Sequence, residues 1–268
     1  MNSISEPAPF SRDPAQFHSL KQLLEDLKKM NIQPLPFIGY GNPNAKILII
    51  GKECASYNPN DRGCNSCKNN NDCKEYKNYK EFYEKNFEQW DETISGKHLC
   101  CCKLIEKEKP YDFEQCYFHP IYPFFRQENK IRRKGRETGT SSTYYYYQRL
   151  VDSIFGREKS EYINFFEDCF ITELSDICRP NNTNISIEQG KETEESIRKR
   201  FDWMRKTNFF NQFKVVILAC GPYANAIKED DKLRFELFGN ARIFYCNQLS
   251  QWNKKIEEAI PEIKKLIL

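Results

Sequence analysis

The sequence predicts an α/β fold, a three-layer αβα sandwich in which helices cover both faces of a central four-stranded parallel sheet. Four short runs are almost continuously apolar rather than alternating, which is typical of strands that are buried on both faces. These runs are residues 46–51, 169–174, 215–221 and 241–246. Helical apolar spacing surrounds them, over residues 14–30, 143–155, 186–209 and 251–268. Strands that alternate with helices favour a parallel sheet with right-handed crossovers.

The 268 residues are predicted to form a single domain, residues 1–268, with a cysteine-rich insertion at about 57–139. The insertion lacks the rhythm of strands and helices, and it holds seven of the twelve cysteines. No segment approaches the roughly 20 apolar residues of a membrane helix, and residues 1–11 do not resemble a secretory leader. We therefore expect a soluble, cytoplasmic protein with reduced thiols, no membrane contact and a monomeric state by default.

Charge alone does not identify a partner. The chain has 41 basic and 38 acidic side chains, which gives a net charge of +3. One local cluster is more informative. Residues 126–136 hold six basic side chains against one glutamate, and the core of the cluster is Arg132, Arg133, Lys134 and Arg136. The run STYYYYQR follows at residues 142–149. Cations beside aromatic faces favour contact with DNA or RNA. The alternative is a solvated loop followed by an amphipathic helix.

The residues that follow each strand are the candidate site, because open parallel sheets bind ligands beyond the carboxyl ends of their strands. These residues are 52–55, 174–182, 221–224 and 245–250. Gly51 is expected to end the first strand, since a glycine there would let the backbone approach a ligand closely.

Four segments, taken in order, resemble motifs of the uracil-DNA glycosylase superfamily, and the motif order is most similar to its bacterial iron–sulfur branch. GNPNAKILIIGKECA at 41–55 is similar to the lead-in and first motif, and FITELSDICRPNN at 170–182 to Y-I-T-N-x-x-K-C-R-P-P with one residue added. VVILACGPYA at 215–224 resembles the strand that ends in L-G-x-x-A, and YCNQLSQW at 245–252 stands in the place of H-P-S-P-L-S. The resemblance implies a uracil-DNA-glycosylase-like fold.

The resemblance also implies roles for single residues. Glu53 falls at the acid that positions water, and Glu173 at the asparagine that reads the base. Tyr245 falls at the histidine that steadies the departing base, with Asn247 as a second donor, and Cys54 falls at a proline of the base pocket. A strand-end salt bridge is the alternative for both glutamates, and simple packing is the alternative for Tyr245.

Three further residues complete the implied site. Phe124 and Phe125 lie where the iron–sulfur branch has its P-F segment, so one of them could stack on a base, with core packing as the alternative. Ser250 could cap the last helix and hold a phosphate at its amino terminus.

The change at Glu173 alters the expected substrate. An asparagine amide both donates and accepts hydrogen bonds and so matches uracil, whereas a carboxylate only accepts. A carboxylate therefore favours bases with donor-rich edges, such as cytosine or guanine.

A separate prediction concerns metal. Cys64, Cys67 and Cys73 have C-x-x-C-x5-C spacing, and Cys100 is our choice for the fourth ligand. Other neighbours could replace Cys100, namely His98, Cys101, Cys102, Cys116 and His119. We expect structural zinc rather than an iron–sulfur cluster, because the iron–sulfur branch has two ligands before its first motif and this chain has none there. Unligated thiols are the alternative.

These observations predict a protein that binds nucleic acid and could hydrolyse the N-glycosidic bond of a damaged or non-uracil base. The alternative is an inactive protein of the same fold, either a nucleic-acid binder or an interaction protein held together by a metal.

Overall fold

A five-stranded mixed sheet forms the centre of the protein in a computed structural model, which describes residues 14–56, 74–95, 120–121, 142–158, 163–180, 187–249 and 254–268. The strands are β1 (Tyr40–Gly41), β2 (Ile47–Ser56), β3 (Cys169–Pro180), β4 (Val215–Leu218) and β5 (Arg242–Tyr245). Their order across the sheet is β1-β3-β2-β4-β5. The pairs among β2, β3, β4 and β5 are parallel, and β1 pairs with β3 in antiparallel fashion.

The predicted four-stranded, wholly parallel sheet is therefore corrected to a mixed sheet of five strands. The additional element is the two-residue β1, in which Tyr40 pairs with Ile171 and Gly41 with Phe170. So short a strand leaves no periodic signal in the sequence. Gly41 has a φ of +93°, and an added Cβ would lie 3.2 Å from the backbone oxygen of Phe166, so glycine fits this edge where larger residues would not.

The helices are α1 (His18–Met30), α2 (Lys74–Ile94), α3 (Ser142–Phe155), α4 (Ile187–Arg205), α5 (Asn225–Glu229), α6 (Asp231–Phe238) and α7 (Lys254–Ile267). They lie on both sides of the sheet, as predicted. Helix α3 packs with α7, while α4 packs with β3 and α6. This division follows from the strand order, because the connection from β2 to β3 runs in the opposite direction across the sheet from those that follow.

Burial on both faces explains the continuous apolar runs. All four residues of β4 are buried, as are residues 47–50 of β2. Fully burying one such side chain stabilises the fold by roughly 1.5–3 kcal/mol. Among the residues that the structure describes, no helix has the length and apolarity needed to cross a membrane.

Strands β2 and β3 run further than the sequence predicts. The expected end at Gly51 is wrong, because β2 continues to Ser56 and remains paired with β3, with Gly51 opposite Glu173 and Glu53 opposite Ser175. The register then shifts, so that Ala55 faces Arg179. The charged residues after Gly51 interrupt the apolar pattern without interrupting the backbone pairing.

A 21-residue helix, α2, lies in the interval predicted to have little regular structure. Its buried Asn86 accepts hydrogen bonds from the backbone N–H groups of Ile38 and Gly39, at 2.8 and 3.1 Å, and donates to the Gly39 carbonyl. The indole N–H of Trp90 donates to the same carbonyl at 2.8 Å. These bonds satisfy backbone groups that would otherwise be buried without partners, and they attach this part of the insertion to the core.

Candidate functional site

The order of the strands defines a crevice at one edge of the sheet. Strand β2 is central, β3 lies on one side of it, and the chain then returns across β2 to form β4. Such a reversal is a topological switch point, where open α/β sheets bind ligands just beyond the carboxyl ends of the two strands. Lys52 of β2, which lies past the level at which β4 ends, and the residues after β4 therefore border the candidate site.

A lysine and a tyrosine meet across this crevice. The Nζ atom of Lys52, on β2, lies 4.6 Å from the centroid of the Tyr223 ring, which belongs to the turn Gly221–Ala224 after β4. A cation over an aromatic face at this distance is attracted by the ring, by about 0.5–1 kcal/mol where the pair is exposed. The pair places a positive charge and an aromatic surface at the switch point.

The turn after β4 also contacts the residues after β5. Gly221 has a φ of +55°, a conformation that favours glycine, and its N–H donates to the Cys246 carbonyl at 3.2 Å. The Oδ1 atom of Asn247 lies 3.6 Å from the position that a Cβ of Gly221 would occupy. The exposed amide of Asn247 is therefore held beside the crevice, where the sequence analysis expects a hydrogen-bond donor.

Gly51 makes room for a side chain of the neighbouring strand. An added Cβ at Gly51 would overlap the Glu173 carboxylate and would lie 2.8 Å from its Cδ. Glu173 is only 8% exposed, so its carboxylate has little freedom to move away. Gly51 thus allows the close approach of Glu173, a contact that the sequence analysis did not expect.

Tyrosines surround the Glu173 carboxylate on this face of β3. Burial, and then the charge of Glu173, raise the pKa of Tyr147 well above its ordinary value. Burial also raises the pKa of Tyr40, followed by the effects of Tyr144, Tyr147 and Glu173. These hydroxyls consequently keep their protons at neutral pH. Glu173 thus lies near at least two tyrosine hydroxyls that are protonated at neutral pH.

Sequence reasoning missed this tyrosine cluster. Tyr144 and Tyr147 stand three residues apart on α3, a spacing that places both on one face of the helix, and this was the available signal. Tyr147 is 3% exposed and its ring lies 5.4 Å from that of Phe165, so it packs in the core and does not stack on a ligand. Tyr40 gives no such signal, because it stands in a two-residue strand.

Tyr245 ends β5 opposite Leu218 and is partly buried. Its hydroxyl is shielded from solvent and has no hydrogen-bond partner within the described part of the chain. Next to it, Cys246 is a buried thiol, and burial raises its pKa to about 12. The position of Tyr245 at the carboxyl edge agrees with the prediction, while the shielding of its hydroxyl also fits the packing alternative.

Several predicted site residues cannot be placed. The backbones of Glu53 and Cys54 lie in β2, and their side chains are not described. The remaining predicted residues fall outside the described residues altogether: Phe124, Phe125, Arg132, Arg133, Lys134, Arg136 and Ser250, and the proposed metal ligands Cys64, Cys67, Cys73 and Cys100.

In the described ranges, no three histidine, cysteine or acidic side chains are grouped as a metal site would require. Cys169, Cys220 and Cys246 are buried there and form no disulfide. Burial raises the pKa of the Cys169 thiol, which donates to the Phe165 carbonyl at 3.1 Å.

Comparisons with known proteins add no assignment: no protein-family model, no curated protein and no solved structure matches this chain. The site itself offers a buried acceptor (Glu173), an exposed amide (Asn247) and a cation on an aromatic ring (Lys52 on Tyr223) at one edge of the sheet. Such a set can hold a flat polar ring beside an anionic group.

Proposed function

We propose that this protein is a uracil-DNA-glycosylase-like protein that binds nucleic acid and hydrolyses the N-glycosidic bond of a damaged or non-uracil base. The observation that carries the proposal is the position of Glu173. Its carboxylate lies over Gly51 of β2, just past the level at which β4 ends, one strand away from the switch point between β2 and β4. This is the base-reading position that the motif resemblance implies.

The chemistry of Glu173 sets the proposed substrate class. A carboxylate only accepts hydrogen bonds, so a base that presents N–H donors would be bound in preference to uracil, whose O4 would face a negative oxygen. Guanine and its N7-alkylated form carry adjacent N1–H and N2–H donors and fit this requirement. Lys52 and Tyr223 would contact the backbone or the flipped nucleotide from the other side of the switch point.

In the proposed reaction Glu53 orients a water molecule whose oxygen attacks the C1′ carbon of the sugar. The C1′–N bond breaks, its electron pair leaves with the base, and Glu53 takes the proton of the water. Asn247 would donate a hydrogen bond to the departing base, because its amide is exposed beside the turn after β4. Tyr245 is the second proposed donor, and it would have to turn its shielded hydroxyl toward the base.

One observation favours a second candidate, a nucleic-acid binder without activity. Glu173 is 8% exposed and the hydroxyl of Tyr245 is shielded, so two of the implied contacts with a base would need side-chain movement. In this alternative the tyrosine cluster beside Glu173 has a structural role, and binding depends on basic side chains.

An excision screen tests the proposed activity. Each DNA substrate, duplex or single-stranded, would carry one modified base: uracil, hypoxanthine, xanthine or an alkylated base. After incubation with the protein, alkali would cleave the DNA strand wherever a base had been removed. We expect excision of a donor-bearing base, and we expect Glu53→Gln to abolish it. Glu25→Gln is the matched control, because Glu25 is an exposed acid on α1, away from the carboxyl edge. If no base is excised, the proposed activity is wrong and the second candidate, a nucleic-acid binder without activity, is favoured.

A binding measurement tests the nucleic-acid interaction separately. Fluorescence anisotropy with a 20-nucleotide single strand, at 50 and 200 mM salt, would compare two double variants. One combines Arg132→Glu and Arg133→Glu, and the other, the control, combines the exposed positions Lys21→Glu and Lys265→Glu. Both double variants change the charge equally, and only the first lies in the basic cluster. We expect the first to weaken binding at least about tenfold and to lower the salt slope by roughly 0.7 for each phosphate that the protein no longer neutralises on a single strand.

We also propose that zinc holds the cysteine-rich insertion together through Cys64, Cys67, Cys73 and Cys100. The support is the spacing of these cysteines in a segment with few apolar residues. Elemental analysis of the purified protein should find close to one zinc per chain, and Cys64→Ser should lower that content. Retention of full zinc by the variant would contradict this ligand set.

A further inference from the structure

A second cleft lies on the opposite face of β3 from Glu173. It has a volume of about 520 Å³ and is formed by the segment after α1, the end of β3 and helix α4. The two faces are distinct because Thr172 and Asp176 contact Arg200 of α4, whereas Glu173 lies beside Tyr147 of α3. We call it the α4 cleft. Its volume is within the roughly 300–1,000 Å³ of small-molecule sites.

Asp176 gives the α4 cleft a hydrogen-bond acceptor that is held in place. Its side chain is 35% exposed, and its Oδ1 accepts from the fully buried Arg200 guanidinium at 2.5 Å. The backbone N–H of Phe37 also donates to this carboxylate, and the backbone N–H of Asp176 donates to the Ser196 hydroxyl at 2.9 Å. A carboxylate has about four acceptor sites, so these bonds leave room for a donor from a ligand.

Trp203 supplies a donor near this acceptor, because Arg200 contacts both residues. The Cζ atom of Arg200 lies 5.0 Å from the centroid of the Trp203 ring. Trp203 lines the cleft and is 3% exposed, and its indole N–H has no acceptor within the part of the chain that the structure describes. Buried donors without acceptors are rare in native proteins and each calls for an explanation. A carbonyl oxygen of a ligand would provide one.

The indole N–H of Trp203 is shielded from solvent, so a ligand reaches it only when a neighbouring side chain moves. Lys199 lies four residues before Trp203 on α4, a spacing that places both on one face of the helix. Its side chain lines the same cleft and is 74% exposed, and its bond to Glu195 is a surface ion pair. Such pairs contribute little and exposed side chains change rotamer readily, so movement of Lys199 costs little free energy.

The charges of the α4 cleft favour an uncharged ligand. Four carboxylates and two ammonium groups line it, which are Asp176, Glu192, Glu195, Asp202, Lys199 and Lys206. Three of the carboxylates have a cationic partner, and the pairs are Asp176–Arg200, Glu195–Lys199 and Asp202–Arg205. Neither sign of charge therefore dominates. A charged ligand would lose its hydration without an opposite net charge to offset the loss.

We propose that the α4 cleft binds a small uncharged cyclic amide, whose N–H donates to Asp176 and whose C=O accepts from Trp203. A cyclic amide fits because its N–H and C=O lie on the same edge, one for each protein group. Its flat ring would pack against the apolar walls, which include Met30, Ile32, Pro36 and Ile177. This site does not depend on the proposed glycosylase activity, because it uses none of the residues assigned to that reaction.

The test uses three probes that are uncharged at neutral pH and have nearly the same shape. Oxindole has both the N–H and the C=O, N-methyloxindole lacks the N–H, and indoline lacks the C=O. Each would be titrated into the full chain, and the indole N–H signals of its three tryptophans followed by NMR. Trp203→Phe identifies the signal of Trp203.

We expect oxindole to move the Trp203 signal downfield in a saturable way, since the indole N–H gains an acceptor. The other two probes should bind about tenfold more weakly, because each leaves one buried protein group without its partner. Equal binding of oxindole and indoline, or no saturable shift with oxindole, would overturn the proposal.

Two variants separate the amide contacts from a general affinity for flat rings. Trp203→Phe keeps an aromatic ring and removes the donor, so calorimetry should find oxindole and indoline bound with affinities within about twofold of each other. Lys206→Glu reverses a charge on an exposed side chain of the cleft and should change oxindole binding by less than about twofold, because the ligand is uncharged. A preference for oxindole that persists in Trp203→Phe would contradict the contact with Trp203, and a large effect of Lys206→Glu would contradict an uncharged ligand.

Discussion

Strand β3 presents one carboxylate to each face of the sheet, and different chemistry surrounds the two. On the α4 face, Asp176 pairs with the buried guanidinium of Arg200. On the α3 face, the Glu173 carboxylate lies over Gly51 among tyrosine hydroxyls that stay protonated at neutral pH. The comparison teaches that two acidic residues three positions apart on one strand can have different surroundings, a buried arginine in one case and close packing over a glycine beside tyrosines in the other.

The largest expected effect concerns the ion-paired face. Arg200→Ala removes a fully buried cation, its bond to Thr172 and its stacking on Trp203, and it leaves Asp176 without its counter-charge. We expect a loss of about 3–5 kcal/mol in the free energy of unfolding. Tyr147→Phe removes one hydroxyl beside Glu173 and should cost only about 1 kcal/mol. Urea denaturation of both variants measures the difference between their free energies of unfolding. Equal losses would show that the two faces of β3 do not differ in this way.

The next effect concerns the close packing of Gly51 and Glu173. Gly51→Ala forces a methyl group into the space of the Glu173 carboxylate and should cost about 1–3 kcal/mol. Gly190→Ala is the matched control, because nothing lies within 4 Å of its added Cβ in the interior of α4. That variant should stabilise the fold by up to about 1 kcal/mol.

A double-mutant cycle sharpens this second prediction. If the cost of Gly51→Ala arises from Glu173, then Glu173→Ala should relieve most of it, with a coupling of about 0.5–3 kcal/mol. Strict additivity of the two substitutions would show that the carboxylate does not occupy this space in solution.

A smaller effect is the sensitivity of the tyrosine face to alkali. In the unfolded chain the Cys246 thiol loses its proton near pH 9, whereas in the folded protein burial raises its pKa to about 12. Between these values the folded state binds more protons than the unfolded state, so stability falls as pH rises. The expected slope is about 1.4 kcal/mol per pH unit from this group, and the raised pKa values of Tyr40 and Tyr147 add to it in the same direction.

Equilibrium unfolding at pH 8 and pH 10.5 would measure this slope in the wild type and in Cys246→Ala. The variant should show a flatter dependence on pH. Val216→Ala is the control, because it opens a space in the buried β4 without removing a titratable group. An unchanged slope in Cys246→Ala would show that the thiol does not titrate differently in the folded protein.

Four strands and most of the helices could be predicted from the sequence, because burial on both faces leaves a continuous apolar signature in β2 and β4. The ends of β2 and β3 could not be predicted from the sequence, because backbone pairing continues through charged residues such as Lys52. Helix α2 was missed as well. Its buried contacts include Asn86, a polar residue that carries no apolar periodicity but bonds the backbone at Gly39.

The general position of the candidate site could be proposed from the strand positions, and its details could not. In the structure Lys52 of β2 contacts Tyr223 in the turn after β4, and Asn247 after β5 lies beside Gly221 of the same turn. The role of Gly51 could not be predicted, because it depends on the register that places Glu173 opposite it. The tyrosines around Glu173 come from β1 and α3, and only the folded chain brings them together.

The central claim is that Glu173 reads the base, and one measurement tests it most directly. Excision rates on uracil and on N7-methylguanine, which presents adjacent N1–H and N2–H donors, would be compared for the wild type and Glu173→Asn side by side. Because a carboxylate facing an acceptor costs about 1–3 kcal/mol, we expect Glu173→Asn to shift the ratio of the two rates toward uracil by roughly tenfold to a hundredfold. Strong uracil excision by the wild type, unchanged by the substitution, would contradict the claim.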